Sequence, residues 1–330
     1  MNNITGILLK EFGPPSEQSI EYADLSLPDI LPNQVLIKMK MAPINPSDIM
    51  LMEGLYGDKP DLPCIIGNSG VGIVDKIGLA VAGLKVGQAV VCPARLGNWC
   101  SSFIAEGAEV FPLPPGIDPE QAALISSNAS TAVRLLSDFQ KLNMGDWIAV
   151  NAGNSSLAHN IVQLAKARSV NTLVLVRDPK WSAPLMEIGA TAVISDEDSF
   201  KDKLAELNHR AQINLGFNLS GGKQLKRLAK CMNKGGTIVT AGAMSREKFN
   251  VSLGSMIFND ITYKGFWMTD WYRHATAANK QTMLNELAAH IRSGVLHSPV
   301  EQVYRLDQAM EAITHAMREG RDGKILLRMS

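Results

Sequence analysis

An excess of charge of either sign is missing from this chain: 32 Lys and Arg stand against 32 Asp and Glu among 330 residues. That balance leaves no broad basic field for a nucleic-acid backbone or a membrane surface, so any anionic ligand must be met by local side chains or backbone amides. Long apolar runs are missing too; none reaches the roughly 18 residues that span a bilayer. Cysteine is scarce. Its four copies, Cys64, Cys92, Cys100 and Cys231, form no CxxC pair. Reduced thiols are expected, and a structural zinc, which wants about four closely spaced ligands, is not. The first residues, Met1-Asn2-Asn3-Ile4-Thr5-Gly6, show neither the charged and apolar regions of a leader nor a transit-type composition, and the expected compartment is the cytoplasm.

What is present is a packed, enzyme-like composition, 46% hydrophobic and 19% charged, on a chain long enough for two domains. From Ile4 to about Pro115, the apolar runs Gln34–Met39, Val71–Val74 and Ala89–Cys92 are punctuated by glycine and proline turns. The pattern predicts an irregular β-rich domain over residues 1–117, with helices beginning after it. Asp118-Pro119-Glu120 places a capping carboxylate before a proline at the first helical position. Strands and helices then alternate: Trp147–Val150, Leu157–Ala167, Thr172–Val176, Lys180–Ile188, Ala192–Ile194, Lys201–Leu207, Ile213–Asn218, Gly222–Met232 and Thr237–Ala241. Continuous apolar strands between amphipathic helices predict an α/β fold, a doubly wound parallel sheet over 118–264. Thr262–Trp267 reads as an exposed-edge or interface strand. The remaining residues, to 330, hold a long helix near Ala275–Ser293, another near Leu306–Arg318 and a closing strand Lys324–Leu327.

A dinucleotide fold shows itself at its first strand-to-helix turn, where glycines let the backbone approach a pyrophosphate at the helix N-terminus. Here the turn is Asn151-Ala152-Gly153-Asn154-Ser155-Ser156-Leu157-Ala158. It is not GxGxxG, but its small residues leave room, and Asn and Ser offer capping and hydrogen bonds. The turn fits a phosphate, and equally a plain βα connection. After the second strand comes Val176-Arg177-Asp178. A guanidinium grips a phosphate through two parallel hydrogen bonds, so Arg177 favours NADPH over NADH. Asp178 either caps the helix before Pro179 or contacts ribose. Tyr56, in Gly54-Leu55-Tyr56-Gly57, is a weak acid beside a glycine that allows a tight turn, placed as a proton donor would be. On local sequence alone an ordinary loop aromatic is the simpler reading.

Five segments resemble the medium-chain dehydrogenase/reductase superfamily, and within it the zinc-free 2-enoyl thioester reductases of the mitochondrial trans-2-enoyl-CoA/ACP type. They are Ala42–Asp48 with Gly54–Gly57, Asn151–Ser155, Val176–Asp178, Gly265–Trp271 and Gly323–Leu326. The resemblance implies a GroES-like catalytic domain over 1–117, a Rossmann domain over 118–264 and a segment 265–330 that returns to the catalytic domain. It further implies an active site in the cleft and a homodimer joined through the Rossmann sheets. It makes Tyr56 the proton donor. It assigns NADPH contacts to Asn128, to Asn154, Ser155, Ser156 and Leu157, to Arg177 and Asp178, and to Ala241, Gly242, Ala243 and Met244. Phe266, Trp267, Met268, Thr269 and Lys324 complete the set. Zinc alcohol dehydrogenases of the superfamily place a cysteine and a Gly-His-Glu segment around their metal. Here Asn45-Pro46-Ser47-Asp48 has no cysteine and Gly67-Asn68-Ser69-Gly70 neither histidine nor glutamate, so no metal is expected. The family's Asn-Ser-Gly-Val-Gly becomes Asn154-Ser155-Ser156-Leu157-Ala158, with His159 following, and its Tyr-Gly-Gly-Met becomes Ala241-Gly242-Ala243-Met244.

The activity so implied is reduction of an activated C=C bond: hydride from NADPH to the β-carbon of a trans-2-enoyl thioester of CoA or acyl carrier protein, and a proton from Tyr56 to the α-carbon. A phenol keeps its proton at neutral pH and serves as an acid without tuning. The enolate oxygen needs a donor that the sequence does not name. An acidic carrier would need a basic rim, for which Arg273, His274 and Lys280 are available. Two other readings stand beside this one, an NADPH:quinone or enone oxidoreductase and a catalytically retired NADPH-binding protein. Neither a nucleic-acid nor a membrane partner is expected.

Overall fold

The computed structural model describes residues 2–329 apart from 94, 95, 197, 209, 210, 244, 246 and 248–250. The chain divides into two compact units, residues 1–127 with 268–330, and residues 128–267.

In the first unit the apolar run at Gln34–Pro43 becomes the central strand of a seven-stranded sheet. The order across the sheet is Val300–Arg305, Lys324–Arg328, Gln34–Pro43, Val71–Ile77, Ala89–Val91 and Phe111–Pro112, with Ser102–Glu106 also pairing Gln34–Pro43. A three-stranded sheet runs Ile20–Leu27, Asn2–Leu9, Cys64–Ile65. The last strand is antiparallel to Gln34–Pro43, with Leu326 opposite Pro43. The chain's end is thereby held in the core beside Ile7, Leu9, Ile37, Met52 and Trp99, all buried together with Ile325 and Leu327. Each such side chain contributes about 1.5–3 kcal/mol by leaving water.

Two elements of this unit depart from the sequence reading. Helices do not wait for Asp118: Pro46–Met52 is helical. Its proline occupies the first turn, where a missing N–H costs nothing, and the Asp48 carboxylate reaches back to accept the Asn45 N–H at 2.7 Å. The strand Val300–Arg305 was not foreseen either, because its half-exposed residues lack clean alternation. The helix expected near Ala275 starts at Ala277, where the Thr276 hydroxyl accepts the Asn279 N–H at 3.2 Å, and a separate helix, Met268–His274, precedes it.

In the second unit the expected βαβ rhythm forms a six-stranded sheet, parallel throughout. Its order is Ala192–Ile194, Asn171–Leu175, Trp147–Val150, Ile213–Asn218, Thr237–Thr240, Thr262–Gly265. Trp147–Val150, first in the chain, thus lies between the second and fourth strands, and its C-terminal end is the switch point at which doubly wound sheets receive ligands. Thr262–Gly265 is an edge strand, as its sequence predicts.

Candidate active site

The helix Pro46–Met52 delivers Tyr56. Its C-terminal end turns at Gly54, whose φ is 70°, and the Tyr56 and Leu55 N–H groups both donate to the Met50 carbonyl, at 3.1 and 2.8 Å. The left-handed turn puts glycine where a side chain would be strained. Tyr56 is half-buried against the core, and its hydroxyl lies 3.1 Å from the Thr269 hydroxyl. Both line a cavity of about 230 Å³ with Leu51, Asn68 and Leu96, and with Asp58 and Arg273 at its exposed side. Arg273 forms a two-pronged pair with Asp58, which holds the guanidinium charge above its usual range. Of the basic residues that the sequence offers as a rim, Arg273 lines the cavity, Lys280 stands over the Phe111 ring, 5.7 Å from its centroid, and His274 is exposed.

Behind the cavity lies a polar junction. Asn45 donates its N–H to Asp48, its side-chain amide to Ser69 Oγ at 3.1 Å, and accepts Lys324 Nζ on Oδ1 at 2.7 Å. Lys324 also donates to the Ile44 carbonyl at 3.3 Å. Asp48 accepts the Asn68 N–H at 2.8 Å. Asp48 and Lys324 are both buried. Burial pushes the Asp48 carboxyl up to about 6, against the two N–H bonds, the Lys324 charge and the Asn68 side-chain amide. Burial likewise pushes Lys324 down to about 8, with Arg321 adding to the shift and Asp48 opposing it. The segments that would carry zinc ligands in alcohol dehydrogenases are here tied together by Asn45, Asp48, Asn68 and Ser69. Among the described residues no group of three or more His, Cys, Asp or Glu is placed to hold a metal ion.

In the second unit, Asn151 and Asn218, fully buried, join three strand ends. Asn151 donates to Asn218 Oδ1 at 2.7 Å and accepts the Leu219 N–H at 2.7 Å, while Asn218 donates to Thr240 Oγ1 at 3.1 Å. Ala152 takes a left-handed φ of 53°. Ser155 caps the twelve-residue helix Ser156–Ala167, its hydroxyl accepting the Ala158 N–H at 3.2 Å, and Ala158 itself is fully buried. Arg177 is exposed after the second strand. Asp178 is a cap: it accepts the Lys180 N–H at 2.9 Å. Asn128 lies in a π-helical turn, Ile125–Ala129, a form frequent at functional sites. Ala241 and Gly242 follow the strand Thr237–Thr240, with the Ala241 N–H on the Asn218 carbonyl at 3.0 Å, and Ala243 is exposed. Met244 lies outside the described residues. Phe266 meets Phe139 edge-on at 5.8 Å, and Trp267 is half-buried. His159 is buried beside Trp181, ring centroids 6.0 Å apart, and burial lowers its imidazole below the usual value.

Cys64 is half-buried, and burial raises its thiol, which favours packing over reactivity. No helix among the described residues is long and apolar enough to cross a membrane.

Residues 31–118 match the alcohol dehydrogenase GroES-like domain, and 157–287 the zinc-binding dehydrogenase family. The mitochondrial enoyl-[acyl-carrier-protein] reductase of Xenopus tropicalis is 34% identical over 303 residues, 89% of this chain and 86% of that protein. The human enzyme of the same name is 32% identical over 332 residues, 99% and 89% of the two chains. Among solved structures, the Etr1p/NADP/crotonyl-CoA complex has a TM-score of 0.90 at 26% identity, covering both chains fully. A quinone oxidoreductase of Pseudomonas syringae has a TM-score of 0.88 at 25% identity, covering 99% of this chain and all of that one. These relatives correct the compartment expected above: the enoyl reductases are mitochondrial by name, and the cytoplasmic assignment falls. The composition of the first residues alone does not decide a compartment. Similarity along nearly the whole length, over both a GroES-like unit and a parallel nucleotide-type sheet, places this chain in the medium-chain dehydrogenase/reductase superfamily, as a member of its enoyl thioester reductase family.

Proposed function

We propose that this protein is an NADPH-dependent reductase of trans-2-enoyl thioesters in which Tyr56 is the proton donor. The observation that carries the reading is the Tyr56 phenol, set in a small cavity and hydrogen-bonded to Thr269, in a chain whose relatives are enoyl-[acyl-carrier-protein] reductases. When bound, NADPH supplies the hydride for the β-carbon. The chain's own part begins with holding the nucleotide. The left-handed Ala152, the capped N-terminus of Ser156–Ala167 and the sheet's switch point fit a pyrophosphate. Asn154, Ser155, Ser156 and Leu157 line that turn, and the exposed Arg177 fits the 2′-phosphate. Asp178, used as a cap, leaves that phosphate unopposed by a ribose-binding carboxylate. Asn128, Ala241, Gly242, Ala243, Phe266, Trp267, Met268 and Thr269 are assigned to the remaining contacts. Lys324 acts from behind, through Asn45. We read the first unit as the substrate unit and the second as the nucleotide unit.

At the reacting carbon, Tyr56 holds a proton and releases it to the α-carbon. Thr269 fixes the direction of the phenol hydroxyl and offers a route for its reprotonation from solvent. Tyr56→Phe keeps the ring and removes the acid. Its kcat with crotonyl-CoA is expected to fall at least about 100-fold, the usual contribution of a positioned general acid, while NADPH titration by fluorescence stays as in the wild type. Wild-type turnover in that variant would remove Tyr56 from the mechanism.

A second reading, an NADPH:quinone oxidoreductase, is favoured by the likeness to the Pseudomonas syringae quinone oxidoreductase. Steady-state rates with crotonyl-CoA and with a simple quinone separate the two, and the enoyl reading requires the thioester to be preferred.

We further propose a homodimer formed through the second unit. The edge strand Thr262–Gly265 follows a helix, Leu253–Ile257, whose Leu253 and Ile257, with the adjoining Phe258, are 72%, 67% and 74% exposed. An open sheet edge beside an uncovered apolar patch is a surface that associates.

A further inference from the structure

One carboxylate gathers the turn that leads into Lys324. In the parallel pair Val300–Arg305 and Lys324–Arg328, Val300 faces Lys324 and Gln302 faces Ile325, which leaves Glu301 as the extra residue. A bulge of this kind re-aims a side chain. The Glu301 carboxylate accepts three N–H donors: those of Asp322 and Gly323 on Oε2, at 2.8 and 3.2 Å, and His315 Nε2 on Oε1, at 2.8 Å. His315 Nδ1 lies 2.9 Å from the Tyr304 hydroxyl, and Tyr304 packs against the core. A carboxylate only accepts, so Nε2 carries a proton. Nδ1 then accepts the phenol O–H in the neutral ring and donates to the phenol oxygen in the charged one, so the relay holds in both forms.

The turn is closed from the other sides as well. A Cβ on Gly323 would stand 2.6 Å from the Glu301 nitrogen and 2.9 Å from the Pro299 carbonyl oxygen, and the Lys324 N–H donates to that carbonyl at 2.8 Å. Arg321 donates to the Arg318 and Gly323 carbonyls, at 3.2 and 3.0 Å. The backbone of Lys324 is thus fixed before its side chain begins. That side chain is buried and ends on Asn45 Oδ1 and the Ile44 carbonyl. Asn45 in turn is the N-cap of the helix Pro46–Met52, whose far end carries Tyr56. All of these residues belong to the first unit. A lysine stem has many rotamers, so its ammonium keeps one pair of acceptors only while its backbone is held.

We propose that Glu301 is a positioning residue of the reductase: it fixes Lys324 on Asn45, and through Asn45 the start of the helix that delivers Tyr56. The proposal rests on the enoyl thioester reading above. Glu301 touches neither substrate nor nucleotide and moves no proton. Its part is to hold the Asp322–Gly323 turn, with His315 and Tyr304 holding the carboxylate in its turn. When the carboxylate is removed, two backbone N–H groups lose their acceptor and the turn relaxes. The Lys324 ammonium then leaves Asn45, the helix start loses a tie, and the phenol at the other end loses its aim. A proton donor out of line is costly only in the transition state, so the loss belongs to kcat.

Glu301→Ala is expected to lower kcat with crotonyl-CoA about 10-fold, with its KM and the NADPH affinity by fluorescence titration within about twofold of the wild type. Glu301→Gln keeps an oxygen for the two backbone N–H groups, and its amide N–H donates to His315 Nε2 in the other tautomer, so its kcat stays within about threefold of the wild type. In a Lys324→Met background, Glu301→Ala changes kcat by less than about twofold, because both residues act along one path. A Glu301→Ala kcat within about twofold of the wild type, whatever its melting temperature, marks a staple of the fold alone and overturns the proposal. A glutamine variant as slow as the alanine one overturns it too, as do losses that multiply in the double variant. Should Lys324→Met lack a cooperative melt, Lys324→Gln is read by the same criterion. Wild-type protein that reduces quinones and no enoyl thioester overturns the underlying reading as well, whereas an active wild type with an indifferent Glu301→Ala overturns the role of Glu301 alone.

Discussion

Asp48 holds a charge in a place that water does not reach. Its carboxyl sits at about 6 because desolvation outweighs two N–H bonds, the nearby Lys324 and the Asn68 side-chain amide, and Lys324 sits at about 8 because desolvation and Arg321 outweigh Asp48. A carboxyl raised in the folded state binds its proton more readily there than in the unfolded chain. Its contribution is therefore most favourable below the ordinary value of 3.8 and is lost as pH rises through about 6. Asp48→Asn does not titrate. The melting temperature of the variant minus that of the wild type should rise between pH 4 and pH 7, by the equivalent of about 1–3 kcal/mol. A difference that stays constant over that range would show that Asp48 does not ionise in it. At this scale the sequence was partly legible. Tyr56 could be chosen because a phenol after a turn has an evident use. Thr269, 213 positions away, and Lys324, 279 positions from Asn45, could be named only through resemblance, and their bonds to Tyr56 and Asn45 not at all. No local pattern records which distant side chains converge.

Among the elements, the βαβ rhythm is legible because the inner strands Trp147–Val150, Asn171–Leu175 and Ile213–Asn218 are almost wholly buried and read as continuous apolar runs between amphipathic helices. The helix Pro46–Met52 is not, since seven residues are too few to display a helical period, although its Asn-Pro-Ser-Asp start is a cap with proline in the first turn. The nucleotide turn shows a different kind of gap. Gly153 was read as leaving room for a pyrophosphate, yet a Cβ there would lie 2.5 Å from Val174 Cγ1 and 2.7 Å from Val176 Cγ1. Its smallness lets the turn pack on the neighbouring strand. Gly242 is under a harder constraint: a Cβ would lie 2.2 Å from the Leu219 carbonyl oxygen, and backbone cannot swing aside as a side chain can. Gly242→Ala should therefore cost about 1–3 kcal/mol, the usual range for overpacking, and weaken NADPH binding in the same measurement series. An unchanged urea midpoint would mean that the strand end yields freely.

At the scale of the molecule the question is what covers the edge of the parallel sheet. Thr262–Gly265 is paired on one side by Thr237–Thr240, and the neighbouring Leu253, Ile257 and Phe258 stay exposed in the single chain. Isolated surface apolar residues need no explanation, but three on one short segment beside an open edge make a contiguous patch. A two-fold axis at such an edge brings the same patch of each copy together and closes the sheet against further addition. A double variant, Ile257→Glu with Phe258→Glu, places like charges across that axis and should convert a dimer to monomers in size-exclusion chromatography with light scattering. Because the Tyr56 cavity is lined entirely by the first unit, the monomer should still bind crotonyl-CoA. A double variant that remains dimeric would move the interface to another face.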